Sequence, residues 1–523
     1  MVGGSPNTFA KAIFLDKSLC YAMSYKIAHH SALLIAHFFD MTKNIYYFFV
    51  ILIGLSACRG VYLPNKVYTT DQLKKDFWVM KNGLEASHPS LYWYSSKDSV
   101  DLAFDNTLKR LDKPMTALEF RQVLELSAEP IRCGHTGVYG SVGFEKYRKK
   151  NLPHKVPLLF GYFDNKFHVL DNNSSDSTIK KGSELISING HTAQAIYDTI
   201  FRFTNSDGHN QTYKKYVVQA YFDNYYRYWF GEKDAYSIVL RDSLGQGKTF
   251  LLKSKKEDKK KKPIAKTKPS TPLVPISKRL VGNDNINLRL WEKDSTIAIL
   301  TQQSFGQKHY KTLYAKCFEV IKARNIQHLV IDVRSNGGGK ASSTSKLLSY
   351  LLDSTFVVHS DVDALPWRPN RNFKNRFFTG MFLGIYAKKK QNGHLTLKAA
   401  TKAIEPIKQN HYQGKLYVLT NGGSFSAASI FPAIVQAHQR GTIIGRETGG
   451  GVAGCTAWVI PYLTLPETKI RIRVPLFKLY NAVKVLNTGH GVIPEHLVNY
   501  QWSDVLQNRD LDFEKVQMLK NKK

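Results

Sequence analysis

Three times in its C-terminal half the chain runs a short apolar stretch straight into a glycine-rich turn. The first is His328-Leu-Val-Ile-Asp-Val-Arg-Ser-Asn-Gly-Gly-Gly339. The second is Leu416–Leu419, leading into Thr420-Asn-Gly-Gly-Ser-Phe-Ser-Ala-Ala-Ser-Ile430, and the third is Thr442-Ile-Ile-Gly-Arg-Glu-Thr-Gly-Gly-Gly451. Apolar runs this short, bounded by glycine, read as buried strands. Another strand is expected over Ser295–Thr301. Helical patterns lie between them: Lys308–Ala323, with Leu313, Cys317, Val320 and Ile321 on its apolar side, and Phe431–Arg440, ended by Gly441. Pro432 places the start of regular hydrogen bonding near Ser429. Strand–helix–strand order requires right-handed crossovers, so this half is an α/β layer.

Each turn has a chemical reading. Glycines directly after a buried strand let backbone N–H groups approach a ligand closely. Phosphate does not fit the first turn, because Arg334 stands where a P-loop has its first glycine and Ala341 follows Lys340 where Ser or Thr is needed. An acyl oxyanion fits. Asp332 and Arg334 are expected to pair and hold the turn, since an unpaired buried charge is costly. In the second turn a serine at the mouth of a helix, held away from its own backbone, suits an exposed nucleophile beside free N–H groups. Glycine and serine are also ordinary turn and cap residues. Ser424, Ser426 and Ser429 are the candidates.

The N-terminal half supplies a possible base. Thr69-Thr-Asp71 is an N-cap cluster, and Leu73, Phe77, Met80 and Leu84 follow at helical spacing, up to the break at His88-Pro89. Further helices are expected over Asp98–Leu111 and Thr116–Ala128. They deliver Ile131-Arg-Cys-Gly-His-Thr-Gly137, where His135 stands between glycines. Cys133 lacks the electropositive helix start that a thiolate nucleophile needs. From Val156 to Leu252 the pattern is of short strands. Val156–Tyr162 and Phe167–Leu170 flank Asp164-Asn165, a hairpin signal, and Gly182–Gly190 is a strand closing on Asn189-Gly190, followed by a helix from Thr192. The aromatic cluster Tyr213–Phe230 reads as core.

Composition narrows the classes. With 43% hydrophobic and 12% aromatic residues the chain is globular. Its formal charge of +33 is scattered, with one dense cluster at Lys253–Lys268 among prolines. That run reads as a solvated linker; without interleaved aromatics it offers no nucleic-acid patch. The five cysteines are widely spaced, with no Cys-x-x-Cys pair, so neither a zinc site nor a disulfide framework is indicated.

Taken in order, Gly134-His-Thr136, the middle unit, Ile331–Gly339, Ser424–Ser429, Ile444–Gly450 and Gly491-Val-Ile-Pro-Glu495 resemble the C-terminal processing (tail-specific) serine peptidases. Within that family the chain is most similar to the branch like the tricorn core. The resemblance covers Asp71–Val498. It implies an α/β fold: a crotonase-like ββα catalytic core at 284–500, an N-terminal helical region at 58–150 carrying the base, and a PDZ-like β-rich middle domain at 152–253. A basic linker at 254–278 and a tail at 501–523 complete the chain. The implied roles are Ser426 as nucleophile, His135 as general base, and the N–H groups of Ala427 and Gly338 as oxyanion hole. No metal or cofactor is implied. The lysine-dependent branch has its base at the position of Gly451 here, which leaves histidine. The tricorn-like branch has an orienting glutamate just before the final glycine turn, where this chain has Asn487-Thr-Gly-His490 and no acid; the nearby carboxylates that could serve instead are Glu447 and Glu495. Protein or peptide would be the substrate, with no nucleic-acid partner. The alternative is a peptide- or ligand-binding lipoprotein that kept the fold and lost catalysis; an acyl-thioester enzyme would not need Ser426 and His135 together.

At the N-terminus, Met41–Cys58 has a lysine and then an apolar run from Ile45 to Ala57, shorter than the roughly 20 residues that cross a bilayer. It fits a signal segment over 41–57. Leu55-Ser-Ala-Cys58 resembles the bacterial lipoprotein cleavage box, with Cys58 as the lipidated residue and residues 1–40 as upstream translation. The expected location is the bacterial cell envelope, on a membrane surface.

Overall fold

The Thr69 hydroxyl accepts from the Gln72 N–H while the Gln72 side chain accepts from the Thr69 N–H, and this reciprocal cap starts helix α1 (Thr70–Ser87). The structure, a computed structural model, describes residues 62–256, 278–292, 294–367, 370–484 and 489–522. The expected signal segment, Cys58 and most of the basic linker lie outside the described residues. Leu73, Phe77, Met80 and Leu84 of α1 are all fully buried, as their spacing predicts. Helix α2 (Lys97–Lys109) and helix α3 (Ala117–Ala128) follow, α3 with a second reciprocal cap between Thr116 and Glu119. After α3 the chain turns through Arg132, in the left-handed region, and passes Cys133–Thr136 into strand β1 (Gly137–Tyr139).

The middle part is a mixed α/β unit. Strands β2 (Leu158–Phe163) and β3 (Lys166–Asn172) form the expected hairpin, with Asp164 and Asn165 both at positive φ. Strand β4 (Glu184–Ile188) closes on Asn189-Gly190 and leads to helix α4 (Ala193–Arg202), then α5 (Thr212–Ala220) and α6 (Phe222–Phe230), and strands β5 (Ala235–Arg241) and β6 (Gly247–Lys253). The sheet order is β6-β5-β4-β3-β2. Phe222 and Tyr226 of the aromatic cluster enter its core, as expected.

In the C-terminal half, strands β7 (Ile286–Trp291) and β8 (Asp294–Gln302) are antiparallel. Helix α7 (Tyr310–Ala323) crosses to strand β9 (His328–Asp332), which pairs parallel to β8. Next come helix α8 (Ala341–Leu348) and helix α9 (Arg376–Tyr386). Strand β10 (Lys415–Thr420), helix α10 (Ala427–Ala437) and strand β11 (Thr442–Gly445) extend the parallel part. Two short strands, β12 (Tyr462–Thr464) and β13 (Arg471–Arg473), stand apart from it. Strand β14 (His496–Leu497) closes the edge beside β11, and helix α11 (Leu511–Asn521) follows. The main sheet runs from a short edge strand at Val281–Gly282 through β7-β8-β9-β10-β11-β14.

Side chains alternate between two cores, so this sheet is covered on both faces. Ala298, Leu300, Leu329, Ile331, Leu416 and Val418 meet α7, α8 and α10, while Ile297, Ile299, Val330, Tyr417, Leu419 and Ile444 meet Phe513 and Val516 of α11. The start of α10 departs from the reading of Pro432: the helix begins at Ala427, two residues before Ser429. Proline at 432 forfeits only its own donor, and the turn before it still closes, with bonds from Ala428 N to Phe425 O, Ser429 N to Ser426 O and Ile430 N to Ser426 O.

Candidate active site

Strands β9, β10 and β11 end in register, Asp332 opposite Leu419 and Thr420 opposite Gly445. Their three glycine turns therefore meet at the carboxyl edge of the sheet, where open α/β sheets place ligands. Hydrogen bonds lace the turns together. Ser335 N donates to Asn421 Oδ1 at 2.8 Å, Phe425 N to Asn336 O at 2.9 Å, and Gly449 N to Ser424 O at 2.9 Å. Asn336 Nδ2 also ties the first turn to Gln302 O at 2.7 Å. Below them Arg334 is held by Asp332, as expected, and additionally by Asp510 and Asp512 from the C-terminal segment.

Within the serine turn the three hydroxyls separate cleanly. Ser424 is fully buried and donates to Val333 O at 2.8 Å; Ser429 donates to Ser426 O at 2.8 Å. Both brace backbone. Ser426 is the partly exposed member of the turn, and its backbone sits at φ 57°, ψ −124° at the entry to α10. That conformation is strained for a residue with a Cβ, of order 1–3 kcal/mol, and a strand-to-helix turn of this kind presents a nucleophilic serine. Among the described residues no hydrogen bond uses the Ala427 N–H, the first donor of α10. Gly338 lies directly against this point: a Cβ there would fall 2.8 Å from Ser426 Cβ and 2.9 Å from Ala427 N. The Gly338 N–H, however, already donates to Asn336 Oδ1 at 2.8 Å. Of the two expected oxyanion donors, Ala427 is free and Gly338 is engaged.

His135 reaches this neighbourhood because β1 pairs with β13, Gly137 opposite Arg473. The Arg473 guanidinium then donates to the carbonyls of His135 and Gly134. Asp207, buried on the loop after α4, accepts from Gly134 N at 2.8 Å and from Gly451 N at 3.4 Å. Burial holds its carboxyl up at about 6 against these two donors. The His135 ring packs on Phe425, the residue before Ser426, with centroids 4.8 Å apart, and Tyr213 stacks on Phe425 at 4.7 Å. The His135 Nδ1 is buried and has no hydrogen-bond partner among the described residues. Burial, with Arg473 nearby, pushes the imidazole down to about 3, so it is neutral at pH 7. Among the described residues no hydrogen bond joins it to Ser426.

The two candidate orienting acids lie elsewhere. Glu495 accepts from Ile443 N at 2.7 Å and Gln436 Nε2 at 3.1 Å, which makes it a brace between β11 and α10. Glu447 is taken by Asn210 Nδ2 at 3.0 Å, Thr212 Oγ1 at 2.8 Å and Gly491 N at 2.8 Å, with His490 Nδ1 at 3.4 Å. Among the described residues neither hydrogen-bonds His135, because each carboxylate is consumed by donors brought from other parts of the chain. Cys133 is buried and its thiol is raised to about 11 by burial, which removes it as a nucleophile. Sequence reading missed Asn336, Asn421 and Asp207. For Asn336 a signal existed in its place before the glycine triplet.

Residues 296–498 match the model of Peptidase family S41. Those residues therefore form a peptidase family S41 domain, which supports a peptidase. Mature CPAF is similar in fold, at 15% identity over 86% of this chain and 96% of that one, with a TM-score of 0.61. The complex of mature CPAF with lactacystin aligns at 14% identity, covering 86% and 98%, also with a TM-score of 0.61. The tricorn protease reaches a TM-score of 0.39 at 14% identity, covering 86% of this chain and 37% of that one, a likeness too weak to argue from.

Proposed function

We propose that the chain is a serine endopeptidase hydrolysing peptide bonds of proteins or peptides outside the cytoplasm, held at a bacterial envelope by lipid on Cys58. Its core is read as crotonase-like and its middle domain as PDZ-like. The observation that carries the reading is the Ser426 backbone, strained and partly exposed beside Gly338, with the Ala427 N–H unspent. In this reading Ser426 Oγ attacks the peptide carbonyl and His135 takes its proton and returns it to the leaving amine. The oxyanion forms against Ala427 N–H, a donor worth about 3 kcal/mol in such sites. Water then cleaves the acyl-enzyme by the same route. Catalytic hydrogen bonds are often unformed without substrate, and His135 is already in the neutral form that accepts a proton.

Labelling with a fluorophosphonate probe tests this on wild type, Ser426→Ala and His135→Ala. Wild type should label, Ser426→Ala should not, and His135→Ala should label roughly 100-fold more slowly or worse. Persistent labelling of Ser426→Ala removes the nucleophile. A second reading, a peptide-binding lipoprotein without catalysis, is favoured by the unpaired His135 Nδ1 and the Phe425 ring against it. It predicts no labelling of the folded wild type.

A further inference from the structure

Helix α9 (Arg376–Tyr386) is apolar on the face it turns to water. Its inward side is narrow: Thr379 and Leu383, one turn apart, are its buried residues. On the other side Phe377 is 73% exposed, Phe378 64%, Met381 48% and Ile385 59%. Positions 377, 378, 381 and 385 share one face at 3.6 residues per turn, nearly opposite 379 and 383. A surface helix normally carries its polar residues there, and a contiguous outward patch of this kind marks an interaction site. The helix is firmly held. Phe373, just before it, is buried against Trp367, Lys374 N donates to Tyr462 O at 2.9 Å, and Lys390, just after it, is fixed by Asp361 and Asp363.

The charge around the patch says what it meets. Between Asp363 and Glu405 the chain has nine lysines and arginines and no aspartate or glutamate. Arg371, Lys374, Arg376, Lys388 and Lys389 flank α9 at both ends and are exposed. Aromatic and aliphatic side chains on one face with basic residues around them are the pattern of a helix lying in a bilayer interface. At eleven residues α9 is about 16 Å long and cannot span. A second copy of the chain would set two basic rims against each other. The apolar side chains also stand out on a helix rather than line a cleft for a peptide.

We infer that α9 is a membrane-docking helix that inserts Phe377, Phe378, Met381 and Ile385 into the interface of an anionic lipid bilayer. The flanking lysines and arginines contact the headgroups. The inference stands whether or not Cys58 is lipidated. A peptidase seated this way is held against the membrane by its own catalytic half rather than only by an N-terminal tether.

The test uses residues 63–523, a compact unit that contains all four hydrophobic cores and omits the apolar N-terminus. Sedimentation is measured with vesicles of phosphatidylcholine alone and of phosphatidylcholine with about one third phosphatidylglycerol. Wild type should bind the anionic vesicles. The variant Phe377→Ser/Phe378→Ser/Met381→Ser/Ile385→Ser should partition at least about tenfold less. Lys388→Glu/Lys389→Glu should lose about tenfold on anionic vesicles only, with wild-type binding weakened by salt. These positions are exposed, so the melting temperature and fluorophosphonate labelling should be unchanged. Equal binding by wild type and the apolar variant overturns the inference, as does a wild type that ignores anionic vesicles. A wild-type dimer that the apolar variant makes monomeric, without vesicle binding, overturns it in favour of a second copy.

Discussion

The serine turn and the histidine loop stand side by side, and they are built to different standards. Around Ser426 almost every polar group has an assigned partner: Ser424, Ser429, Asn336 and Asn421 each fix backbone, and the strain of φ 57° is borne by that lattice. Around His135 only the backbone is fixed, by Asp207 and Arg473, while the imidazole has one nitrogen buried and unpaired. A nucleophile needs its geometry in advance, because strain cannot be assembled during the reaction. A base can be oriented later, by substrate. The comparison teaches that preorganisation here is concentrated on Ser426 and the Ala427 N–H, the nucleophile and oxyanion donor of the proposed mechanism.

The harshest way to break that comparison is to crowd the serine turn. Gly338→Ala places a Cβ 2.7 Å from Phe425 O and 2.9 Å from Ala427 N, at φ 94°, where backbone atoms have little room to yield. Peptide hydrolysis should fall roughly 100-fold or more, the loss expected when an oxyanion donor is displaced, with a stability cost of about 1–3 kcal/mol. Gly337→Ala is the control, since nothing lies within 4 Å of a Cβ there. Activity of Gly338→Ala within about threefold of wild type would mean that the turn is not preorganised.

Asp207→Ala sharpens the other half. It leaves the Gly134 and Gly451 N–H groups without their acceptor, at about 1–3 kcal/mol each when buried. The histidine loop should loosen and hydrolysis fall, about tenfold, with the serine still reactive to fluorophosphonate. The pH dependence has a definite sign. The Asp207 carboxyl is raised from its ordinary 3.8 to about 6 by burial, so between those values the native state binds more protons than the unfolded chain. Its contribution is then full below pH 3.8 and declines as pH rises through 6, by up to about 3 kcal/mol. The stability gap between wild type and Asp207→Ala should therefore be widest near pH 4. A gap that widens from pH 4 to 7 in denaturant titrations would show an ionised Asp207 and contradict the burial argument. Burial drives His88 and His135 the opposite way, down to about 4 and about 3. Both residues make wild type and variant alike lose stability below pH 6.5, so the comparison is between the two proteins and not of either alone.

What was legible in the sequence was local. Thr69 and Thr116 announce their helices by cap chemistry, Asp164-Asn165 announces a hairpin, and the short continuous apolar runs announce buried strands. The serine turn was legible because a strand, a glycine turn and a helix follow one another, and the family resemblance picked Ser426 from its three serines. What joins distant segments was not. Asp207 sits in a loop with no periodicity, and its value to the site comes from Gly134 and Gly451 in three dimensions. Glu447 and Glu495 were chosen by nearness in sequence, and each proved to be spent on neighbours. Helix α9 left a partial signal: its apolar residues were visible, but that most of them face outward follows from packing alone.

The smallest effect probes the strain itself. If φ 57°, ψ −124° is a stored cost, then removing the Cβ at that position should return part of it, while removing only the hydroxyl should not. Ser426→Ala keeps the Cβ and the strain; Ser426→Gly relieves it, at the expense of a more flexible unfolded chain, worth about 0.4–1 kcal/mol. Against strain of order 1–3 kcal/mol, Ser426→Gly should be more stable than Ser426→Ala by about 1 kcal/mol in denaturant unfolding, although both are inactive. The Gly338 backbone lies against Ser426 Cβ, so the gain also reflects a relaxed contact there. Should the glycine variant prove the less stable of the two, the turn is relaxed around serine, and the contrast between a braced nucleophile and an unbraced base loses its physical basis.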